Sequence, residues 1–226
     1  SRGSIMATGL HGDGFEAAGV PYQPLYGYFA KCRVPWQEAR VSFYFDDYSP
    51  DYAFTCSVNG IAFALIFNRH RPVARWEMEK FAEQATLEDG YPFKEFLPLG
   101  GGAKGGAAAA PTRSFSNPRL FHGDLILAGT LAGMMDPVLF FGMHGAFASG
   151  KIAARAYRDP AGAYDEFRRL NWTFYPLLAA KRLIDRSPRD LVLKYPMRAT
   201  LPFMPLFNRF LLRYAFMANV TGYGRI

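Results

Sequence analysis

The sequence predicts an α+β fold: an antiparallel sheet, then a strand–helix element, then C-terminal helices. Three observations carry this. Residues 24–67 hold four β-rich runs separated by turn chemistry. Residues 124–157 pass from a short apolar run through glycines into a helix of small residues. From residue 159 onward the spacing is helical and broken by prolines. With 226 residues, half of them hydrophobic, the chain can build one large domain or two small ones around a real core.

The four runs are "LYGYFAKCRV", "ARVSFYFDD", "DYAFTCSV" and "GIAFALIF", each of ordinary strand length. "DDYSPD" links the second to the third, and Asn59-Gly60 links the third to the fourth. Asn-Gly between apolar runs is a strong hairpin signal, because both residues tolerate positive φ. Alternation in "VSFYF" puts Val41, Phe43 and Phe45 on one face and Ser42 and Tyr44 on the other, so the sheet is expected to have one apolar face.

"PVARWEMEKFAEQATL" (72–87) reads as a helix opened by Pro72, with Trp76, Met78 and Phe81 as its apolar contacts. The low-complexity run that follows contains a formal GxGxxG at 100–105. That pattern cradles a phosphate only between a strand and a helix. A proline precedes it and "AAAAPT" follows, so it reads as a loop.

"DLILA" (124–128) is a continuous apolar run of the kind found in buried parallel strands. A helix is expected from Met143 to Tyr157, small on the side carrying Ala146, Ser149, Gly150, Ala153 and Ala154. Residues 125–149 are long enough to span a membrane. Asp136-Pro137 at the centre and Gly129, Gly133, Gly142 and Gly145 argue against a span. "DPAGAYDEFRRLNWTFYPLLAAKRLIDRS" reads as one or two helices with a kink at Pro176. In the tail, Arg198, Arg209 and Arg213 stand among Phe203, Phe207, Phe210, Leu211, Leu212 and Phe216. That segment either lies on a membrane surface or covers a core as paired helices.

A net charge of +7 fits an ordinary basic protein, an anionic membrane surface or a phosphate-bearing cofactor. The basic residues are scattered, which speaks against nucleic acid. Cys32 and Cys56 form no CxxC, and the four histidines have no ligand spacing, so neither a disulfide scaffold nor a metal site is expected. The N-terminus lacks a signal-peptide pattern, and a cytoplasmic location is expected.

A strand, a small-residue turn and a glycine-rich helix start bring backbone N–H groups up to an anionic or electron-rich cofactor. Tight strand–helix packing without a ligand uses the same residues. Residues 125–156, "LILAGTLAGMMDPVLFFGMHGAFASGKIAARA", resemble the second flavin-binding motif of FAD-dependent oxidoreductases of the geranylgeranyl reductase and aromatic-hydroxylase type. Gly129, Ala132-Gly133, Asp136-Pro137, Gly142, Ala146, Ser149-Gly150 and Ala153-Ala154 match that pattern without a gap. "FLPLGG" (96–101) resembles the segment leaving the substrate domain of that family, and "IMATGLHGDG" (5–14) the segment closing its Rossmann part.

The resemblance implies four regions: the end of an FAD-binding part (1–20), a substrate-binding sheet domain (21–112), an FAD-binding return segment (113–158) and a C-terminal helical region (159–226). It implies FAD as cofactor, with Gly129 and Thr130 near its ribityl and pyrophosphate part and Ala132-Gly133 in the turn. Asp136-Pro137 would lie beside the isoalloxazine, and Gly142 and Met143 would face flavin N1 and O2. His144 is then the candidate proton donor, or else a hydrogen-bonded structural histidine. Phe43, Phe45, Phe54 and Cys56 would line an apolar, polyprenyl or other lipid-like substrate held between the sheet and the flavin edge. Cys56 also reads as a small buried hydrophobe.

The chain departs from the family pattern at Thr130, where an Asp is usual, and at Phe140, where a Gly is usual. No strand–GxGxxG–helix unit precedes the motif. The readings left open are a carbon–carbon double-bond reductase or its C-terminal half, a flavin monooxygenase, and a non-catalytic lipid-binding or partner subunit that has lost FAD. The first calls for a second polypeptide, or a further part of a precursor, supplying the dinucleotide-binding half.

Overall fold

A computed structural model of the chain describes residues 3–46, 48, 52–99, 107–111, 119–137, 140, 142–172, 174, 175, 178, 179, 181 and 182. The Gly-rich run at 100–106, Pro176 and the aromatic, basic tail from 183 lie outside the described residues. The chain divides into two compact units, one of Gln23–Ala109 and one of Ser1–Tyr22 with Ala110–Ile226.

In the Gln23–Ala109 unit, β2 (Tyr22–Arg33), β3 (Arg40–Tyr44), β4 (Ala53–Val58), β5 (Ile61–Asn68) and β6 (Leu97–Pro98) form an antiparallel sheet in the order β3-β4-β5-β2-β6. Strand β7 (Ala107–Pro111) also pairs with β2. The β4–β5 hairpin turns on Asn59 and Gly60, with φ of 51° and 77°, and Val58 sits opposite Ile61. Two consecutive positive φ values give the two-residue turn whose twist suits paired strands. The expected α+β class and hairpin are both present.

Helix α2 (Arg75–Asp89) covers one face of this sheet. Its buried stripe is Glu77, Phe81 and Ala85, one residue per helical turn, with Met78 beside it. Trp76, expected as an apolar contact, instead lies half-exposed beneath the Lys80 ammonium. Ala62 and Ala64 are fully buried under the helix and let it approach the sheet, while Phe81 packs edge-on against Tyr44. Tyr44 donates its hydroxyl proton to the Asp89 carboxylate at the far end of α2. Burial, and then that carboxylate, push the Tyr44 hydroxyl well above the usual tyrosine range.

Glu77 is the buried acid of this core, with 1% of its side chain exposed. Arg71 donates to both of its oxygens, at 2.8 and 2.7 Å, and the Ala74 N–H donates at 2.6 Å. Burial alone would raise its pKa; the Arg71 and Ala74 hydrogen bonds outweigh that and hold the carboxyl below its ordinary value. A depressed folded-state pKa stabilises the fold above the ordinary carboxylate range, and this stability is lost as pH falls through the folded value. Glu77→Gln should therefore flatten the acid limb of a urea-stability profile between neutral pH and about pH 3. An acid limb unchanged in the variant would show that other carboxylates set it. Because Arg71 is half-exposed, the neutral-pH cost should be modest, about 2 kcal/mol.

In the other unit, β1 (Ile5–Met6) pairs in parallel with β9 (Leu125–Leu127), and β8 (Phe121–His122) pairs antiparallel with β9 on its far side. Helix α1 (Gly12–Ala18) ends at Gly19, whose φ of 61° forms a left-handed cap. After β9 come a 3-10 turn (Gly129–Ala132), helix α3 (Met143–Ala156) and helix α4 (Pro160–Trp172), the last two packed as a hairpin. The stretch 125–149 thus begins as a strand and turn and ends in a helix. No helix among the described residues is long and apolar enough to cross a membrane.

Candidate functional site

The turn between β9 and α3 is set by two glycines in the left-handed region, Gly129 at φ 67° and Gly133 at φ 79°. The Gly133 and Met134 N–H groups close it onto the Thr130 and Gly129 carbonyls at 2.9 and 3.1 Å. One buried side chain ties it to the helix. Ser149 Oγ accepts the Gly129 N–H at 2.8 Å and lies 2.6 Å from the Gly145 carbonyl, to which it donates. Thr130, Ala132, Gly133, Asp136 and Pro137 are all buried in the turn.

Gly145 carries the closest approach. A Cβ there would lie 2.2 Å from the Met134 carbonyl oxygen, nearer than any real contact. Gly142, by contrast, has φ −120°, and a Cβ there would meet Met135 and Thr130 at ordinary distances of 3.7 to 3.9 Å. The small residues therefore divide. Gly145, Ala148, Ser149, Ile152, Ala153 and Ala156 form the buried face of α3. Ala146 and Ala154, expected on the close-packed side, are exposed, and a Cβ on Gly150 would meet nothing within 4 Å. Ser149, expected on the close-packed side, lies there, whereas spacing does not single out Gly145, which makes the closest approach.

Helix α3 opens at Gly142 with no side-chain cap and no acidic residue in its first turn. Its first N–H groups, from Met143 onward, have no acceptor within the helix, and the helix dipole leaves partial positive charge there. Met143 is exposed and His144 is half-buried in the same turn. The Thr130 side chain sits close by, its Oγ1 3.9 Å from the Cβ position of residue 142. This end of the helix is electrostatically suited to an anionic or electron-rich group. The Gly129 N–H does not serve such a ligand, because Ser149 occupies it.

Phe140 holds φ 56°, a left-handed conformation that costs a bulky residue energy and glycine almost none. Phe140→Gly should stabilise the protein by about 1 kcal/mol, net of added chain freedom, measured by urea denaturation. A loss of stability of that size would mean that packing of the ring outweighs the backbone strain.

The remaining candidates lie on the sheet of the Gln23–Ala109 unit, on the face opposite α2. Opposed residues share a face, so Val41, Cys56, Phe63 and the exposed Lys31 form one row and Phe43, Phe54, Leu65 and Phe29 the next. Val41, Phe43, Val58, Ile61, Phe63 and Leu97 are all substantially exposed. Phe43, Phe45, Tyr52 and Phe54 stack in a ring cluster, with neighbouring centroids 5.8 to 6.3 Å apart. The expected single apolar face is thus corrected. Both faces are apolar; Tyr44 and its row face α2, and the Val41–Phe43 row is the open one. Cys56 stands half-buried within it, and burial pushes its thiol up, so it is protonated and weakly nucleophilic at neutral pH. No group of three potential metal ligands occurs among the described residues.

No family model matches this sequence, and no curated protein matches it. The fold does have a counterpart among solved structures. A geranylgeranyl bacteriochlorophyll reductase-like protein from Thermoplasma acidophilum superposes on 86% of this chain with a TM-score of 0.57 and 14% sequence identity. The two share a fold. The chain spans 53% of that protein's length, about half.

Proposed function

We propose that this chain is the flavin-edge and substrate-side half of an FAD-dependent oxidoreductase that reduces a carbon–carbon double bond in an apolar, polyprenyl-like lipid. The observation that carries the reading is the β9–turn–α3 element: two left-handed glycines, a turn pinned by Ser149, and a helix start with neither a side-chain cap nor an acid. The shared fold with a reductase-like protein supports it. Here the N–H groups of the first turn of α3, from Met143, would hold the polar edge of the cofactor and stabilise negative charge on its reduced form. Reduced FAD, when bound, supplies a hydride to the double bond. His144, in the same turn, would deliver the proton that completes the addition.

The open sheet face around Phe43, Phe54 and Phe63 suits an apolar chain with a polar or anionic end, because it offers aromatic and aliphatic surface, a protonated thiol at Cys56 and the exposed Lys31 ammonium at the end of the Cys56–Phe63 row. The dinucleotide-binding half would come from a second polypeptide or a further part of a longer chain. The test is to purify the protein with any chain that accompanies it, record flavin absorbance, and incubate the reduced complex with a polyprenyl lipid. Product heavier by two hydrogens supports the reading, and product carrying an added oxygen makes the protein a monooxygenase. A colourless complex that binds the lipid would make it a lipid-binding subunit.

A further inference from the structure

The basic residues form no single run, but counted by segment their density is uneven, a correction to the even scatter expected above. Residues 1–150 carry 12 basic and 14 acidic side chains, a net of −2, whereas residues 151–226 carry 14 and five, a net of +9. A basic segment this long is a recognised footprint of an anionic macromolecular surface.

The described part of that segment shows how the charge is presented. Arg155 is neutralised by Asp159 and Glu166, at 2.6 and 3.1 Å. Arg158, Arg168 and Arg169 are exposed and make no ion pair among the described residues. Along α4, Tyr164, Arg168 and Trp172 recur at intervals of four and so share one face. Trp172 is 70% exposed, and its ring meets Tyr175 edge-on at 4.7 Å. Arg168, Arg169, Trp172 and Tyr175, with Asp165 as the acid among the described lining residues, line a shallow groove of about 740 Å³.

Arginines beside exposed Trp and Tyr at one helix face are suited to the headgroup layer of a bilayer. There the guanidinium groups meet phosphate and the amphipathic rings sit at the water–lipid boundary. Nucleic acid is served less well, because Asp165 lies within the groove and the aromatic residues are not set out as a stacking track. We propose that the α4 face carrying Arg168, Arg169 and Trp172 docks the protein on an anionic lipid surface. This surface is separate from the flavin reading and stands or falls without it.

The test uses the full chain with whatever chain accompanies it. It is sedimented with vesicles of phosphatidylcholine and phosphatidylglycerol in equal parts, and with phosphatidylcholine alone. The protein should pellet with the anionic vesicles, stay in solution with the neutral ones, and be released as salt rises past the range where surface charges are screened. Arg168→Glu with Arg169→Glu should weaken partition at least tenfold, and Trp172→Ala several-fold. These side chains are exposed, so the melting temperature serves as the control for folding. If the charge-reversed protein unfolds, Arg168→Gln with Arg169→Gln replaces it. Failure to pellet with anionic vesicles, or partition unchanged by the arginine and Trp172 variants, overturns the proposal. Release of the protein from vesicles by a short DNA duplex at equal phosphate concentration also overturns it, in favour of nucleic acid.

Discussion

Gly145→Ala should destabilise the protein by about 3 kcal/mol, whereas Gly142→Ala should cost no more than about 1 kcal/mol. The difference lies in what the new methyl group meets. At 145 it would fall 2.2 Å from a backbone oxygen, that of Met134, and backbone cannot swing aside as a flexible side chain can. Helix α3 would have to move away from the turn by the better part of an ångström. That shift stretches the 2.8 Å bond from the Gly129 N–H to Ser149 and loosens the buried face of α3, on which Ile152 and Ala153 are fully buried. At 142 the nearest atoms are 3.7 Å away and the backbone has negative φ. Urea denaturation of the two variants measures the gap, and equal losses would show that the α3 contact is looser than its geometry implies. Because the same helix start is the proposed flavin edge, Gly145→Ala should also reduce flavin retention in the complex.

Gly145 was hard to see in advance, and the reason is general. The four strand runs, Asn59-Gly60 and the strand–turn–helix order are written in local chemistry: β-branched and aromatic runs, a turn that needs two positive φ values, and glycine before a helix. Which glycine bears the close approach depends on where the helix lands against residue 134, and that is tertiary information. The sheet faces pose the same difficulty. Alternation correctly separated Val41 and Phe43 from Ser42 and Tyr44. It could not say which set faces α2, because both faces are apolar and Tyr44 finds its place through Phe81 and Asp89, far along the chain. Glu77 was likewise silent. A glutamate three residues after an alanine announces no buried cap until Arg71 is folded back onto it. Phe140 was legible only as a departure from a pattern, and its positive φ supplies the physical meaning.

On the function proposed above, the isolated chain should bind FAD at least a thousandfold more weakly than a complex in which further polypeptide supplies a dinucleotide-binding half. Strand β1 is the edge of its sheet and is paired in parallel with β9. Parallel strands belong to sheets covered on both faces, so this edge and the exposed Met143 and Phe147 of α3 are suited to further structure docking beside them. A flavoprotein of the resembling kind holds the adenosine and pyrophosphate through a strand, a glycine-rich turn and a helix N-terminus. The β9–α3 element is already assigned to the other end of the cofactor, and one N–H of its turn is spent on Ser149. Losing the pyrophosphate contacts should cost about 4 kcal/mol, which is roughly a thousandfold in affinity. Isothermal titration with FAD, on the lone chain and on the complex, measures the ratio. Sub-micromolar binding by the lone monomer would show that these residues hold the whole cofactor, and the division of labour proposed for the two halves would be wrong.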